Sequence, residues 1–206
     1  MARRDALPQE FIARLVELER SYLRSSDPIR RSGFGGGAER WREEREPILD
    51  AIEDGGDLLD VGCANGFLLE CLVDWGRERG LVITPHGVDL GPRLVELARR
   101  RLPQTAANLH VGNAWDWAPP RRYRYVYSVH DCVPLEYLPE YVERLVSDFV
   151  EPGGRLIVGA YGSRSRGVEP FAVGPFLTSM GLRVAGTSYG GDPAVSRFAW
   201  VDRGCP

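Results

Sequence analysis

The sequence predicts an α/β domain in which helices cover both faces of a mostly parallel β-sheet. From residue 57 onward, short apolar runs alternate with longer stretches of helical periodicity, which is typical of a parallel sheet with helical connections. A glycine-containing turn joins the first apolar run to the first helical pattern. The last two apolar runs flank Gly190-Gly191-Asp192-Pro193, which predicts a closing antiparallel hairpin.

The individual elements follow from these patterns. Apolar residues recur at helical spacing over 67–75 and 94–102. We expect further helices over 138–150, where the turn signal 151–154 follows, and over 168–180, which Gly174-Pro175 shortens. The predicted strands are residues 58–61, 87–89, 108–111, 123–129, 155–160, 182–187 and 195–201.

Residues 1–55 are interpreted as a helical extension or lid, and residues 56–206 as the core. Helices are predicted near 11–22 and 39–52, separated by Gly33-Phe34-Gly35-Gly36-Gly37. This glycine-rich stretch is either a flexible linker, because glycine loses the most entropy on ordering, or a lid hinged on the glycines with Phe34 at its tip. In the second interpretation Phe34, Trp41 and Glu136 lie on the substrate side of the site.

Composition argues against several classes of protein. The four cysteines and three histidines have no familiar metal-ligand spacing, so no metal is expected. The net charge of −3 makes nucleic acid an unfavoured partner, since phosphate binding needs a concentrated positive surface. No apolar run approaches the ~20 residues of a membrane span, and nothing indicates an oxidising compartment, so we expect a reduced, cytoplasmic protein. All 26 basic residues are arginine, which is typical of a GC-rich bacterial genome.

A candidate binding site follows the first predicted strand, at Asp60-Val61-Gly62-Cys63-Ala64-Asn65-Gly66. Small residues let the backbone approach a ligand here, and the next helix presents free N–H groups. A dinucleotide-binding turn has the arrangement G-x-G-x-x-G, whereas this segment holds only Gly62 and Gly66. NAD therefore fits poorly, although an NAD-dependent oxidoreductase stays an alternative.

Two further strand ends carry groups suited to a nucleoside. Asp89 can accept hydrogen bonds from both hydroxyls of a ribose, or can be a helix N-cap, because Gly91-Pro92 follows it. After the third strand, Asn113 offers a side-chain amide and Ala114 a backbone N–H to an adenine edge, and Trp115 can pack on the ring. We expect these groups to face one nucleoside.

Four segments together resemble the class I, Rossmann-like S-adenosylmethionine-dependent methyltransferases. They are D-V-G-C-A-N-G at 60–66, G-V-D-L at 87–90, V-G-N-A-W-D-W at 111–117 and V-E-P-G-G-R-L-I-V at 150–158. The resemblance covers about residues 56–202 and implies a three-layer sandwich with a seven-stranded sheet of order 3-2-1-4-5-7-6 and an antiparallel last strand. It implies S-adenosylmethionine as the cofactor and S-adenosylhomocysteine as the product.

The resemblance also implies site residues. Gly62 and its neighbours approach the methionine portion of the cofactor, Asp89 holds the ribose, and Asn113 with Ala114 holds adenine. The family commonly has glycine where Ala64 stands, so we expect an Ala64 backbone that does not need a positive φ. The full set of predicted cofactor-binding residues is Asp60, Gly62, Cys63, Ala64, Asn65, Gly66, Asp89, Leu90, Asn113, Ala114, Trp115 and Ser128.

The acceptor end is predicted at 128–132, after the fourth strand, where substrates of the family meet the methyl group. His130 is the candidate general base because its ordinary pKa of ~6.5 suits proton acceptance, with Asp131 or Glu136 as alternatives. His130 can equally only line the pocket. The chain lacks the N-P-P-[YF] pattern that the family associates with planar amide or exocyclic base nitrogens. We therefore expect a small-molecule acceptor, with ribosomal RNA methylation and a non-catalytic S-adenosylmethionine-binding protein as alternatives, and leave the oligomeric state open.

Overall fold

One seven-stranded sheet organises the computed structural model, which describes residues 6–204. Its order is β3-β2-β1-β4-β5-β7-β6, with β1 to β5 parallel and β7 antiparallel to both of its neighbours. The strands are β1 (Gly56–Val61), β2 (Ile83–Asp89), β3 (Leu109–Val111), β4 (Tyr123–Val129), β5 (Val150–Tyr161), β6 (Val184–Gly190) and β7 (Ser196–Asp202). The predicted fold class and strand order are confirmed.

Helices cover both faces of the sheet. The helices are α1 (Gln9–Tyr22), α2 (Ala38–Arg45), α3 (Phe67–Glu78), α4 (Pro92–Arg101), α5 (Leu138–Arg144) and α6 (Val173–Ser179). One apolar cluster joins α1, α5 and α6 to the sheet, and a second joins α2, α3 and α4 to the opposite face. Among residues 6–204, none of the helices is long and apolar enough to cross a membrane.

Some predicted boundaries are wrong for identifiable reasons. The helix predicted over 39–52 ends early, because Pro47 interrupts it, and continues as the 3-10 segment Glu46–Ala51. The turn predicted at 151–154 lies inside β5, because Val150 already pairs with Tyr123 before the register shifts. The shortening of α6 is confirmed, since Gly174 and Pro175 fall in its first turn, where proline is tolerated.

Core packing continues across residue 55. Ile48 and Leu49 precede the sheet in the chain, yet they are fully buried in one cluster with Leu58 of β1. The hydroxyl of Ser188 on β6 donates a hydrogen bond to the carbonyl of Pro47 (2.7 Å). The segment just before β1 is therefore part of the packed core.

The sheet register brings the candidate site segments together. Asp60 on β1 lies beside Gly87 of β2 and Tyr127 of β4, and Asp89 of β2 lies beside Val111 of β3. Because parallel strands end at one edge, the segments after β1, β2, β3 and β4 meet there.

Candidate functional site

A partly open cavity lies at this edge of the sheet. Five of the predicted cofactor residues line it: Gly62, Asp89, Leu90, Asn113 and Ala114. Four residues of α1 complete the wall: Leu15, Leu18, Glu19 and Tyr22. These residues belong to the N-terminal extension, whose predicted lid tip was Phe34, and the helix α1 rather than Phe34 lines this cavity.

Asp89 joins the end of β2 to the turn after β1. Its Oδ2 accepts a hydrogen bond from the N–H of Ala64 (2.8 Å), and its Oδ1 accepts one from the N–H of Gly91 (2.8 Å). Burial raises the pKa of this carboxyl, the two N–H donors lower it in part, and the charge of Glu19 raises it. The N-cap position of α4 belongs to Gly91, so the simple N-cap interpretation of Asp89 is wrong. Each carboxylate oxygen retains a second lone pair for a ligand hydroxyl.

Ala64 corrects one expectation from the sequence. Its φ is +46°, and among residues 6–204 it is the one non-glycine residue with a positive φ. The left-handed conformation costs an L-residue about 1–2 kcal/mol. The hydrogen bond from its N–H to Asp89 offsets this cost, so the turn has the geometry that a glycine would give.

Asn65 fastens the N-terminal segment to the turn. Its fully buried side chain accepts hydrogen bonds at Oδ1 from the N–H of Phe67 (3.1 Å) and the hydroxyl of Ser32 (2.9 Å). Its Nδ2 donates to the carbonyl of Pro28 (3.0 Å). The side chain is thus engaged within the protein, which leaves its backbone as the part available to a cofactor.

Gly66 and Cys63 shape the turn from beneath. A Cβ atom at Gly66, whose φ is +73°, would lie 2.8 Å from the Cβ of Ala98, so glycine lets α3 approach α4. The thiol of Cys63 is buried and packs closely on Gly87. A Cβ atom at Gly87 would lie 2.7 Å from the sulfur of Cys63. Burial raises the pKa of this thiol well above its ordinary value. Neither residue lines the cavity.

Asp60 is a buried carboxyl behind the turn. Only 3% of the residue is exposed, and burial raises its pKa to about 8, with a further contribution from the charge of Asp89. A cation brought close to Asp60 would favour the ionised form and lower this pKa. Asp60 itself does not line the cavity.

Trp115 and Ser128 are placed away from the cavity. The Trp115 ring is 2% exposed and packs edge-on against Tyr137, with ring centres 5.4 Å apart. The hydroxyl of Ser128 is 2.8 Å from the hydroxyl of Tyr141 in the core. Burial therefore separates both side chains from the predicted ligand, and their predicted cofactor contacts have no support from the geometry.

The loop after β3 is held in shape by side-chain hydrogen bonds. Oδ1 of Asn113 accepts from the N–H of Trp115 (3.0 Å), which leaves the Nδ2 group to face the cavity side. Arg144 of α5 donates to the carbonyls of Ala114 (2.9 Å) and Trp117. Sequence reasoning missed Arg144, and its only signal was a cation on the apolar face of a helix.

Tyr22 of α1 separates two cavities. It lines the first cavity and a second, open one that is also lined by Phe34. Burial, with the charges of Asp131 and Asp89, raises the pKa of Tyr22 to about 12. The phenol is therefore neutral near pH 7, and it lies within electrostatic range of the acceptor end predicted from the sequence.

Glu19 fixes α1 to the rim of the first cavity. Its Oε1 accepts a hydrogen bond from the N–H of Arg93 (3.1 Å) in the first turn of α4. A Cβ atom at Gly91 would lie 2.9 Å from the same oxygen. The glutamate thus packs directly on the backbone of Gly91, whose N–H also binds Asp89.

The three residues after β4, His130, Asp131 and Cys132, have different surroundings. The His130 ring stacks on Phe171 with centres 4.9 Å apart, and its buried Nδ1 has no hydrogen-bond partner among the described residues. Asp131 is exposed. Cys132 lines the first cavity, and burial raises the pKa of its thiol to about 12. Only Cys132 of these three contacts the cavity directly.

The three predicted substrate-side residues are not brought together. Phe34 lines the second cavity, and its ring meets Trp41 edge-on with centres 5.7 Å apart. Trp41 is 2% exposed and its Nε1 is 3.4 Å from the sulfur of Cys71, so it is a core residue that supports Phe34. Glu136 is exposed and lines neither cavity.

Fold and site together define a class I, Rossmann-like methyltransferase, because the strand order and the carboxylate after β2 coincide at one edge of the sheet. The chain belongs to the methyltransferase-domain family, whose model matches residues 34–185. Over the part of the chain that the structure describes, no three His, Cys, Asp or Glu side chains cluster as metal ligands.

Relatives of known identity agree with this family. The chain is 31% identical over 103 residues to the ubiquinone biosynthesis O-methyltransferase of Shewanella sp. (strain ANA-3), an alignment that covers 48% of this chain and 41% of that protein. The chain thus spans less than half the length of this curated relative. The ubiquinone biosynthesis O-methyltransferase of Nitrosospira multiformis is 30% identical over 103 residues, which cover 48% of this chain and 41% of that protein.

Solved structures share the fold. The Burkholderia thailandensis 1,6-didemethyltoxoflavin-N1-methyltransferase, solved with 1,6-didemethyltoxoflavin and S-adenosylhomocysteine, superposes with a TM-score of 0.65 and 14% identity over 99% of this chain and 93% of that one. A SAM-dependent methyltransferase of Aquifex aeolicus superposes with a TM-score of 0.58 and 18% identity, over 89% of this chain and 97% of that one. At such identities the match shows the fold alone.

Proposed function

We propose that this protein transfers a methyl group from S-adenosylmethionine to a small-molecule acceptor. The observation that carries the proposal is a single cavity lined by Gly62 after β1, Asp89 after β2 and Asn113 after β3. A carboxylate suits ribose hydroxyls, an amide suits an adenine edge, and a glycine turn allows close approach to the methionine portion. These donors and acceptors fit the cofactor.

The chain's own residues would bind and orient the cofactor in three places. Asp89 accepts from the ribose hydroxyls while it keeps its bonds to Ala64 and Gly91. Asn113 donates its Nδ2 group to adenine. Asp60 faces the ammonium of the methionine portion and ionises there. When bound, the cofactor supplies an activated methyl group, so the protein's contribution is position and exclusion of water.

The proposed acceptor is a small molecule. The Shewanella relative is named for O-methylation in ubiquinone biosynthesis, and the Burkholderia protein binds 1,6-didemethyltoxoflavin. Both names support a small organic acceptor for this chain, although neither fixes its identity. Nucleic acid stays unfavoured by the net charge of −3, and a cytoplasmic location stays a prediction.

His130 is proposed as the general base, with Asp131 as the alternative. The stack on Phe171 fixes the His130 ring at the end of β4, and its Nδ1 has no partner among the described residues. A base in this position contributes about 10²–10⁴-fold to the rate. We therefore expect His130→Ala to lower kcat within that range and to flatten the pH profile. Unchanged turnover and an unchanged profile would reassign His130 to packing.

Calorimetry tests the proposal directly. S-adenosylmethionine, S-adenosylhomocysteine and NAD are titrated separately into the protein, followed by an acceptor screen in which S-adenosylhomocysteine is detected as product. We expect binding of the first two ligands and not of NAD. Tight binding of NAD alone would support the oxidoreductase alternative, and cofactor binding without transfer to any acceptor would support a non-catalytic binding protein.

A further inference from the structure

An aromatic ring lies between two arginines beside the second cavity. The ring centre of Phe34 is 4.2 Å from the guanidinium carbon of Arg45 and 5.3 Å from that of Arg40. Arg45 also lies over the rings of Trp41 (4.1 Å) and Tyr161 (4.4 Å). We call the space that Phe34 fills, bounded by Arg40, Trp41 and Arg45, the Phe34 slot.

Both arginines of the slot carry a buried nitrogen without a hydrogen-bond partner in residues 6–204. These atoms are Nε of Arg40 and Nη1 of Arg45. Glu44 is shared between the two cations: its Oε1 accepts from Nη2 of Arg40 (2.8 Å), and its Oε2 is 3.5 Å from Nη1 of Arg45. The side chain of Arg45 is 7% exposed. Since buried N–H groups are nearly always paired, two orphaned donors at one ring indicate a ligand with acceptor oxygens.

The docked position of the Phe34 ring depends on glycines next to it in the chain. A Cβ atom at Gly36 would lie 2.5 Å from the Phe34 ring, so the docked position requires glycine there. Gly33 has a φ of +77°, and a Cβ atom at that position would lie 2.3 Å from the hydroxyl oxygen of Tyr22. Phe34 lines the second cavity, and Tyr22 lines both cavities, so the slot opens on the second cavity, which shares Tyr22 with the first.

We propose that the Phe34 slot receives the planar, anionic end of the acceptor, an aromatic carboxylate, which displaces the Phe34 ring. The inference rests on the proposed function and names the substrate class of the same site. The aromatic part of the acceptor packs on Trp41 and the guanidinium faces as Phe34 does. Its carboxylate accepts hydrogen bonds from the orphaned nitrogens of Arg40 and Arg45 and balances the excess positive charge beside Glu44.

The test compares two glycine variants that differ by one position. Calorimetry measures binding of 4-hydroxybenzoate, and of its neutral isostere 4-hydroxybenzamide, to protein saturated with S-adenosylhomocysteine. Gly36→Ala and Phe34→Ala empty the slot, and we expect each to bind 4-hydroxybenzoate about tenfold more tightly than the wild type. Gly37→Ala is the control, because a Cβ atom there has no neighbour within 4 Å and its φ is −83°. We expect Gly37→Ala to bind 4-hydroxybenzoate with wild-type affinity. In every variant, 4-hydroxybenzamide should bind more weakly than 4-hydroxybenzoate.

Removal of the cations supplies the second arm. In the Phe34→Ala protein, Arg45→Met and, separately, Arg40→Gln are expected to abolish the gain in 4-hydroxybenzoate affinity. Arg40 is 43% exposed, so Arg40→Gln keeps the test valid if the Arg45 variant does not fold. The proposal that the slot binds an aromatic carboxylate would be overturned by either of two results. One is equal affinity of Gly36→Ala, Phe34→Ala and the wild type for 4-hydroxybenzoate, and the other is equal affinity for the acid and the amide. Absence of S-adenosylhomocysteine binding to the wild type would instead overturn the proposed function, so the two failures are distinguishable.

Discussion

The two ends of the site carry ionisable groups of opposite sign. At the cofactor end, Asp60 and Asp89 are carboxyls whose pKa values burial raises. At the N-terminal end, Arg40 and Arg45 share the carboxylate of Glu44, and each has a buried nitrogen without a hydrogen-bond partner among the described residues. A buried charge without full compensation favours a ligand of the opposite sign. The contrast therefore suits a cationic sulfonium and ammonium at one end and an anionic acceptor at the other.

The two ends also differ in how the chain builds them. The cofactor end combines bonds between near neighbours, such as Asn65 to Phe67 and Asp89 to Gly91, with the bond from Ala64 to Asp89 between adjacent strand ends. The N-terminal segment is attached by contacts between distant residues, such as Ser32 to Asn65. The sheet holds the two strand ends of the cradle side by side, whereas docking of the segment depends on a few distant anchors. The four substitutions below test each half of this comparison.

Asp89→Ala is expected to have the largest effect. It removes the carboxylate proposed for the ribose, where each charge-assisted hydrogen bond is worth about 1.5–3 kcal/mol, so the Kd for S-adenosylhomocysteine should rise at least about 100-fold. Calorimetry measures the change. Asp74→Ala is the control, because Asp74 is an exposed carboxylate paired with Arg77 on α3. Retained affinity in Asp89→Ala would show that the cofactor end does not depend on this carboxylate.

Asp60→Asn tests the buried charge by pH. Asp60 ionises at its ordinary pKa of 3.8 when unfolded and at about 8 when folded, so between these values the folded state holds the extra proton. Stability of the wild type therefore falls as pH rises through this window, by up to about 1.4 kcal/mol per pH unit, and the loss is complete above pH 8. The Asp60→Asn variant lacks this pH dependence. Its free energy of unfolding, measured with urea, should therefore rise relative to that of the wild type between pH 5 and pH 8. A constant difference across that range would contradict the assignment.

The same carboxyl gives a second measurement at the cofactor end. An ammonium beside Asp60 lowers its pKa, so S-adenosylhomocysteine binding at pH 7 should release a proton. Calorimetry in two buffers of different ionisation enthalpy detects the release, which Asp60→Asn should lose. Equal proton release by variant and wild type would place the ammonium elsewhere.

Asn65→Ala tests the attachment of the N-terminal segment. It removes three hydrogen bonds of a buried side chain and leaves buried partners unpaired, so the free energy of unfolding should fall by about 1–3 kcal/mol. Trypsin should then cleave faster after Arg30 and Arg31, next to the released segment. Asn65→Asp keeps the two accepted bonds and should show an intermediate loss. Wild-type proteolysis in Asn65→Ala would mean that other contacts hold the segment.

Ala64→Gly should have the smallest effect, and it should raise the free energy of unfolding where Asn65→Ala lowers it. Glycine relieves the positive φ of +46° but adds freedom to the unfolded chain, so we expect a net gain of about 0.5–1 kcal/mol. Chemical denaturation measures it. Ala13→Gly, at an exposed position inside α1, serves as the counter-example because glycine there should destabilise by about 0.5–1 kcal/mol. A loss in both variants would show that the turn around Ala64 is not strained.

Much of the fold was predictable because its signals are local. Strand β4 coincides with the predicted residues 123–129, and the strand order agrees with the resemblance. The positive φ of Ala64 was mispredicted, because the bond that stabilises it comes from Asp89, 25 residues away. Trp115 and Ser128 were assigned to the cofactor because they adjoin the motifs, whereas burial turns both away.

The sequence by itself determined the alternation of strands and helices and the turn at 60–66, together with Asp89 and Asn113, because these depend on periodicity and on residue types at strand ends. Only the tertiary structure decided that α1 covers the cofactor cavity and that Arg40 and Arg45 enclose Phe34. The physical reason is that a side chain's partner across the fold is set by packing of distant segments, and no local pattern encodes which of many arginines becomes buried.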